Sequence, residues 1–177
     1  MERAAVIFRG YVIECVRMDD PQMHLDPEDL GGRADEVLDP WGKEVVLQLR
    51  TASEHQNKDP EWERLIDTVD LDTVQDLFFA VARKVFSGVD VNWGKVAAFL
   101  NFAYRLIYKA LTQNRREVIP KITACVLQVI REEASALFKQ QGGWVHVVLN
   151  SVIGWNNVII FTAGILIAML LYWKMAK

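Results

Sequence analysis

Cysteine is scarce in this chain: Cys15 and Cys125 are the only two among 177 residues. Two thiols so far apart cannot form the dense disulfide framework of a small secreted domain. The first ten residues carry the charges of Glu2, Arg3 and Arg9, which a cleavable secretory leader would not place there. We therefore expect a cytosolic protein in which both thiols behave as small buried apolar groups.

Histidine is almost as rare. No histidine has a second histidine or cysteine at metal-ligand spacing, since His24, His55 and His146 lie in separate segments. The pair Gly142-Gly143 lacks the Lys-Ser/Thr that ends a phosphate-binding loop. The sequence therefore predicts a protein that is not an enzyme and that holds no metal ion or cofactor.

Strand-like alternation and internal repeats are also missing, and the clear periodic signals have the three- and four-residue spacing of helices. We predict an all-α fold: a globular bundle of eight or nine helices around a central hydrophobic hairpin, with a C-terminal tail-anchor helix. The bundle is assigned to residues 1–154 and the tail anchor to residues 155–177. Within the bundle, residues 18–39 are rich in Asp, Pro and Gly and predict a mobile acidic loop.

Asp-Pro pairs mark the starts of two helices, because aspartate caps the first turn and proline fits its first position. Asp39-Pro40 begins a helix that we expect to run to about Gln56, and Asp59-Pro60 begins the next one. The central hairpin is predicted over residues 92–111 and 120–140. Its first helix is apolar nearly all round, as in the centre of a bundle or in a membrane. The exception is a polar stripe of Asn101, Arg105 and Lys109.

Charge is distributed unevenly along the chain. Residues 1–90 carry ten basic and twenty acidic residues, a net charge of −10, whereas residues 91–177 carry ten and three, a net charge of +7. The basic half is also the more apolar half, as expected of a surface that meets anionic lipid. Nucleic-acid binding is not expected, because the basic residues are scattered among apolar positions and form no dense run.

The segment 158–173 contains no charged residue, and two lysines follow it at once. At ~1.5 Å per residue it spans about 24 Å, or about 28 Å counted from Trp155, against a hydrocarbon core of roughly 30 Å. Three interpretations stay open: a membrane anchor, a buried core helix, or a helix that docks in an apolar groove and inserts once displaced. The anchor residues would be Val158, Ile160, Phe161, Ile165, Leu166, Leu170, Leu171, Trp173, Lys174 and Lys177.

Three segments resemble motifs of the B-cell-lymphoma-two (Bcl) apoptosis regulators. NWGK at residues 92–95 resembles their first homology motif, and QQGGW at residues 140–144 resembles the second, with Gly142, Gly143 and Trp144 as its residues. The terminal apolar segment resembles their tail anchor. In this order and at this spacing, the three segments are typical of the family over residues 60–177.

The resemblance implies a death motif on the helix after Pro40, made by Val45, Leu49, Ala52, Ser53 and Glu54. Gln56 stands where a fourth apolar residue is expected, so the motif is degenerate. Lys95 replaces the arginine that would pair with an aspartate of the motif. We hypothesise that Glu54 and Lys95 form a re-sized version of that pair, within one molecule or between two. An ordinary bundle helix is the alternative interpretation.

The resemblance also implies a surface groove that binds the death-motif helices of other family proteins or of a second copy. Its residues would be Leu65, Leu77, Val81, Asn92, Gly94, Lys95, Val96, Phe99 and Leu100. The basic residues Lys95, Arg105, Lys109, Arg115, Arg116 and Lys121 would either rest on anionic mitochondrial lipid or form a solvated bundle face.

The function that the resemblance implies is that of a pro-apoptotic effector. Such a protein moves from the cytosol to the mitochondrial outer membrane, with some on the endoplasmic reticulum, where it oligomerises, permeabilises the membrane and releases intermembrane proteins. One alternative is a survival-promoting member that captures partner death-motif helices without forming pores. Another, from physics alone, is a tail-anchored scaffold or trafficking protein with a passive bundle.

Overall fold

The computed structural model describes residues 2–86, residues 93–134 and Lys174. Over this part of the chain it contains six α-helices. They are α1 (Glu2–Asp19), α2 (Pro40–Asn57), α3 (Pro60–Thr68), α4 (Val74–Phe86), α5 (Trp93–Thr112) and α6 (Ile119–Val129). The all-α class is confirmed. The total of eight or nine helices depends on segments outside the described residues.

The Asp-Pro pairs begin helices as predicted. The Asp39 carboxylate accepts a hydrogen bond from the Gly42 N–H at 2.6 Å, and the Asp59 carboxylate accepts one from the Glu61 N–H at 3.0 Å. Each satisfies an N–H that the first helical turn leaves without a partner. The Asp-Pro pairs therefore set where α2 and the short helix α3 start.

Helix α5 lies at the centre of the bundle and contacts α1, α2, α3, α4 and α6. Side chains around its whole circumference are buried, among them Phe102, Leu106 and Ile107 at 0% exposure. A helix surrounded by neighbours has no need of a polar face, which explains its nearly continuous apolar sequence. The central place predicted for this helix is therefore confirmed.

The segment between α1 and α2 folds back onto the helices. It contains a 3₁₀ turn, Pro27–Leu30, whose Leu30 is fully buried. Arg9 on α1 and Glu36 in the segment form a two-pronged ion pair, with N–O distances of 2.7 and 2.8 Å and both side chains only 6% exposed. Gly32 leaves room for the Arg9 guanidinium, because a Cβ there would lie 2.5 Å from its Nε. The mobility expected of residues 18–39 stays a prediction.

Helix α6 begins where Pro120 predicts but departs from regular geometry early. Its α-helical part ends at Val129, and a π-helical turn, Ile130–Ala134, follows. The rest of the hairpin's second helix, predicted to reach residue 140, lies outside the described residues. Within residues 2–86 and 93–134, no helix is both long enough and apolar enough to cross a membrane.

Candidate functional site

The apolar face of the predicted death motif is turned into the protein. Val45 and Leu49 on α2 are 1% exposed, and Ala52 is 3% exposed. This face belongs to the buried core, where α2 contacts α1, α5 and α3. The three residues share one stripe of α2, as predicted, and in this state they belong to the core.

The small residue of the motif, Ser53, is hydrogen-bonded on both sides. Its hydroxyl donates to the Leu49 carbonyl at 2.9 Å, and it shares a second hydrogen bond with the Tyr11 hydroxyl of α1. Tyr11 is fully buried, and that burial raises the pKa of its phenol well above the ordinary value, so it stays neutral. Ser53 therefore ties the motif helix to α1.

The fourth motif position, Gln56, is buried and is held by an amide on α5. Asn101 Nδ2 donates to Gln56 Oε1 at 2.5 Å and to Asn57 Oδ1 at 2.9 Å, and Asn57 Oδ1 also accepts from Trp62 Nε1 at 3.1 Å. Gln56 is 2% exposed and Asn101 is 0% exposed. The polar residue that makes the motif degenerate therefore has a specific partner, which the polar stripe on α5 could have suggested.

Glu54, the acid of the motif, faces outward. Its side chain is 61% exposed and lies 3.9 Å from Arg50 Nε, one turn earlier on α2. Lys95 is partly buried in the first turn of α5. The pairing of Glu54 with Lys95 stays a prediction.

The structure places the predicted groove residues in one buried cluster. Leu65 comes from α3, Leu77 and Val81 from α4, and Val96, Phe99 and Leu100 from α5; none is more than 8% exposed. Gly94 is also buried, and Asn92 lies outside the described residues. Because these side chains are covered, a partner helix can touch them only after part of the protein moves.

Aromatic rings fill the space between α3, α4 and α5. Phe78 lies 4.7 Å from Phe99 and 5.7 Å from Phe102, measured between ring centroids, and Trp62 meets Phe102 edge to face at 6.0 Å. Such pairs contribute beyond their buried area. The contact between Phe78 and Phe99 therefore joins α4 to α5, and Phe99 is one of the predicted groove residues.

The structure does not place Lys109 on the basic face that is predicted for the hairpin. Its Nζ is buried against α3 and donates to the carbonyls of Ile66, Asp67 and Val69 at 2.9, 2.9 and 2.5 Å. Burial lowers the pKa of this ammonium, while the nearby carboxylates of Asp67 and Asp70 oppose the shift. The carbonyls at the end of a helix have no partner within it, so Lys109 caps α3 and does not reach lipid in this state.

Other basic residues of the hairpin also bind within the bundle. Arg105 pairs with Glu63 on α3, Arg115 with Asp72 at 2.7 Å, and Arg116 donates to the His24 carbonyl at 3.0 Å. Arg116 and Lys121 are nevertheless exposed. Fewer charges than predicted therefore face solvent.

A mainly apolar cavity of about 710 Å³ lies between α1, α2 and the segment that joins them. Ile13 from α1, Val46 from α2 and Leu38 from the segment line it, and Arg17 and Arg50 contribute charge. Sequence reasoning missed this cavity, because it exists only where the connecting segment packs over both helices.

Two predicted sites lie outside the described residues. They are the second homology motif, with Gly142, Gly143 and Trp144, and the membrane anchor from Val158 to Trp173 with Lys177. Of the anchor residues, the structure describes Lys174, which is exposed.

Residues 49–144 match the family described as apoptosis regulator proteins, Bcl-2 family. The chain belongs to this family, whose members are regulators and not enzymes. The apoptosis regulator BAX of Homo sapiens is 35% identical over 98% of this chain and 88% of its own length. BAX of Bos taurus is 36% identical with the same coverage. The crystal structure of chicken BOK, at 18% identity, shares the fold with a TM-score of 0.67 over 84% of this chain and 94% of that one.

Proposed function

We propose that this chain is a pro-apoptotic effector that oligomerises on the mitochondrial outer membrane and permeabilises it, releasing intermembrane proteins. The observation that carries the proposal is the similarity to BAX over 98% of the chain. The protein would rest in the cytosol with residues 155–177 sheltered in the groove, and it would insert them when an activating peptide or a lipid surface displaces them.

The geometry of the described residues supports a closed resting form. The motif face of α2 and the groove residues of α3, α4 and α5 belong to the same buried cluster. Neither can meet a partner while the cluster is intact, so activation would have to expose both. A ligand drives such a change only through its higher affinity for the open form.

The recognition step would be the docking of α2 into the groove of a second copy. Exposed Glu54 would then meet Lys95 of the other copy, the two residues standing where the family motifs place the acid and the base of the pair. Glu54→Lys and Lys95→Glu should each reduce membrane permeabilisation severalfold, and the double exchange should restore part of it. A double variant no more active than either single one would remove this pair from the proposal.

Dye release from liposomes of mitochondrial-type anionic lipid tests the function. The full chain should release dye, more strongly with an activating death-motif peptide, and deletion of residues 155–177 should abolish targeting. An exchange of Thr51, an exposed residue of α2, for Ala serves as the matched control and should leave release unchanged. Absence of release under all these conditions would contradict the effector function.

The second candidate is a survival-promoting member that captures partner helices without forming pores. The observation that favours it is Gln56, because a motif with a buried amide at its fourth position is a poor match to an apolar groove. The same liposome assay separates the two. Under this alternative, the chain would block dye release by another effector and release none alone.

A further inference from the structure

The strongest feature that the proposed function leaves unexplained is the buried amide pair between α2 and α5. Gln56 and Asn101 are 45 residues apart in the sequence, and their amides meet at 2.5 Å inside an otherwise apolar contact. Among the described residues, Gln56 Nε2 and Asn101 Oδ1 find no hydrogen-bond partner. The pair is therefore only half satisfied.

Holding α2 against α5 does not require amides. Two apolar side chains of similar volume would fill the same space without leaving a donor and an acceptor unpaired, and such replacements are often neutral or stabilising. The best-attested use of a polar pair in an apolar contact is to fix register and partner choice. The amide pair is therefore better explained by the choice of a binding partner than by a contribution to the stability of the contact between α2 and α5.

The orientation of the Asn101 amide supports a role in selecting which helix binds to α5. Its Nδ2 is directed to Gln56 and Asn57 together, and Asn57 Oδ1 is held in turn by the indole N–H of Trp62 on α3. Asn101 therefore presents a fixed donor to the last turn of whichever helix lies on α5. An apolar residue opposite that donor would leave it short of a partner in a buried site, which lowers affinity.

We propose that Asn101 selects the motif helix of a second copy of this chain by recognising Gln56, and that it disfavours motif helices with an apolar residue at that position. The inference rests on the proposed docking of α2 between copies, and it adds to the receiving surface the face of α5 around Asn101, which the neighbour's own α2 would leave on opening. When one element is exchanged between identical chains, it can form with the neighbouring chain the same contacts that it forms within its own chain. The contact between Asn101 and Gln56 within one chain is thus the template for the contact between two.

Peptide competition on the full chain tests the inference. Labelled peptide of residues 40–57 is bound to the unaltered protein on anionic vesicles, and the same peptide with Gln56→Leu competes with it. We expect the unaltered peptide to bind about tenfold more tightly, equivalent to about 1.4 kcal/mol. The matched control is a peptide with Gln48→Leu, which alters an amide that is bonded to Glu44 on the outer side of α2 and should compete like the unaltered peptide.

The second arm uses the full chain carrying Asn101→Leu together with Gln56→Leu, in which two apolar side chains of similar volume occupy the same space and should preserve the fold. On this protein the preference should disappear or reverse. Equal binding of the two peptides to the unaltered chain would overturn the inference while leaving the effector function standing. Failure of both peptides to bind would overturn the inference too, and dye release would then report separately on the proposed function.

Discussion

At the scale of single residues, the Arg9–Glu36 pair shows how a buried charge secures a connecting segment. Hydrogen bonds from Arg9 are the main reason that the pKa of Glu36 lies below its ordinary value of 4.5. A carboxylate with a lowered pKa contributes stability that is complete above its unfolded-state pKa and is lost as the pH falls through the lowered one. The pair should therefore be intact at neutral pH and fail only in acid.

Glu36→Gln should lower the free energy of unfolding at pH 7 by roughly 2 kcal/mol, because hydrogen bonds to the Arg9 charge weaken. The variant should also lose less stability than the unaltered chain as the pH falls below about 4.5. Urea denaturation at pH 7 and pH 3.5 measures both effects. Glu28→Gln, which changes an exposed carboxylate of the same segment, is the control and should keep the acid dependence of the unaltered chain. Parallel pH profiles for the Glu36→Gln and unaltered chains would contradict this account.

At the scale of elements, Lys109 makes the end of α3 depend on α5. Lys109→Met keeps the length of the side chain but removes the ammonium, so the carbonyls of Ile66, Asp67 and Val69 lose the donor that they share, and Ile66 keeps only the Val69 N–H. We expect a loss of roughly 2–4 kcal/mol in the free energy of unfolding and faster amide exchange at the last turn of α3. Lys121→Met changes an exposed lysine on α6 and should cost little. Equal losses in the two variants would show that Lys109 is not a cap.

The helices themselves follow closely from local signals. Asp39 and Asp59 cap the helices that the Asp-Pro pairs predict, and the apolar spacing identifies the buried faces of α2 and α5. Local signals cannot show where a polar side chain on an apolar helix finds its partner. The sequence shows Asn101 and Lys109 only as members of a polar stripe, yet their partners lie 40 to 45 residues away and only the packing of the bundle brings them together.

The placement of the functional residues shows the same limit. The resemblance implies a motif surface and a groove surface that each meet a partner, and the structure places the apolar side chains of both sets that it describes inside one core. Sequence spacing shows that residues share a helix face, but not whether that face is covered. The cavity between α1 and α2 escaped prediction for a related reason, since its third wall is an irregular segment.

At the scale of the whole molecule, stability and function are linked through α2. The links from Ser53 to Tyr11 and from Gln56 to Asn101 hold α2 in the same core that covers the apolar residues of the predicted groove. Any opening that frees α2 must break these hydrogen bonds and expose buried apolar surface. The opening that the proposed function requires would therefore need an external source of free energy, and we propose that an anionic membrane surface supplies it.

The uneven distribution of charge along the chain predicts which residues an anionic membrane surface attracts. The half with a net charge of +7 includes Arg116 and Lys121, which the structure leaves exposed. Each basic residue near an anionic surface contributes about 1 kcal/mol, so Arg116→Gln with Lys121→Gln should weaken vesicle binding by roughly tenfold or more. Vesicle co-sedimentation measures this, and added salt should reduce the difference, because the screening length is only about 10 Å at 0.1 M. Arg17→Gln with Arg64→Gln removes two exposed charges from the acidic half and should leave binding almost unchanged. If both double variants lose the same affinity, net charge alone matters, and the basic half has no special role at the membrane.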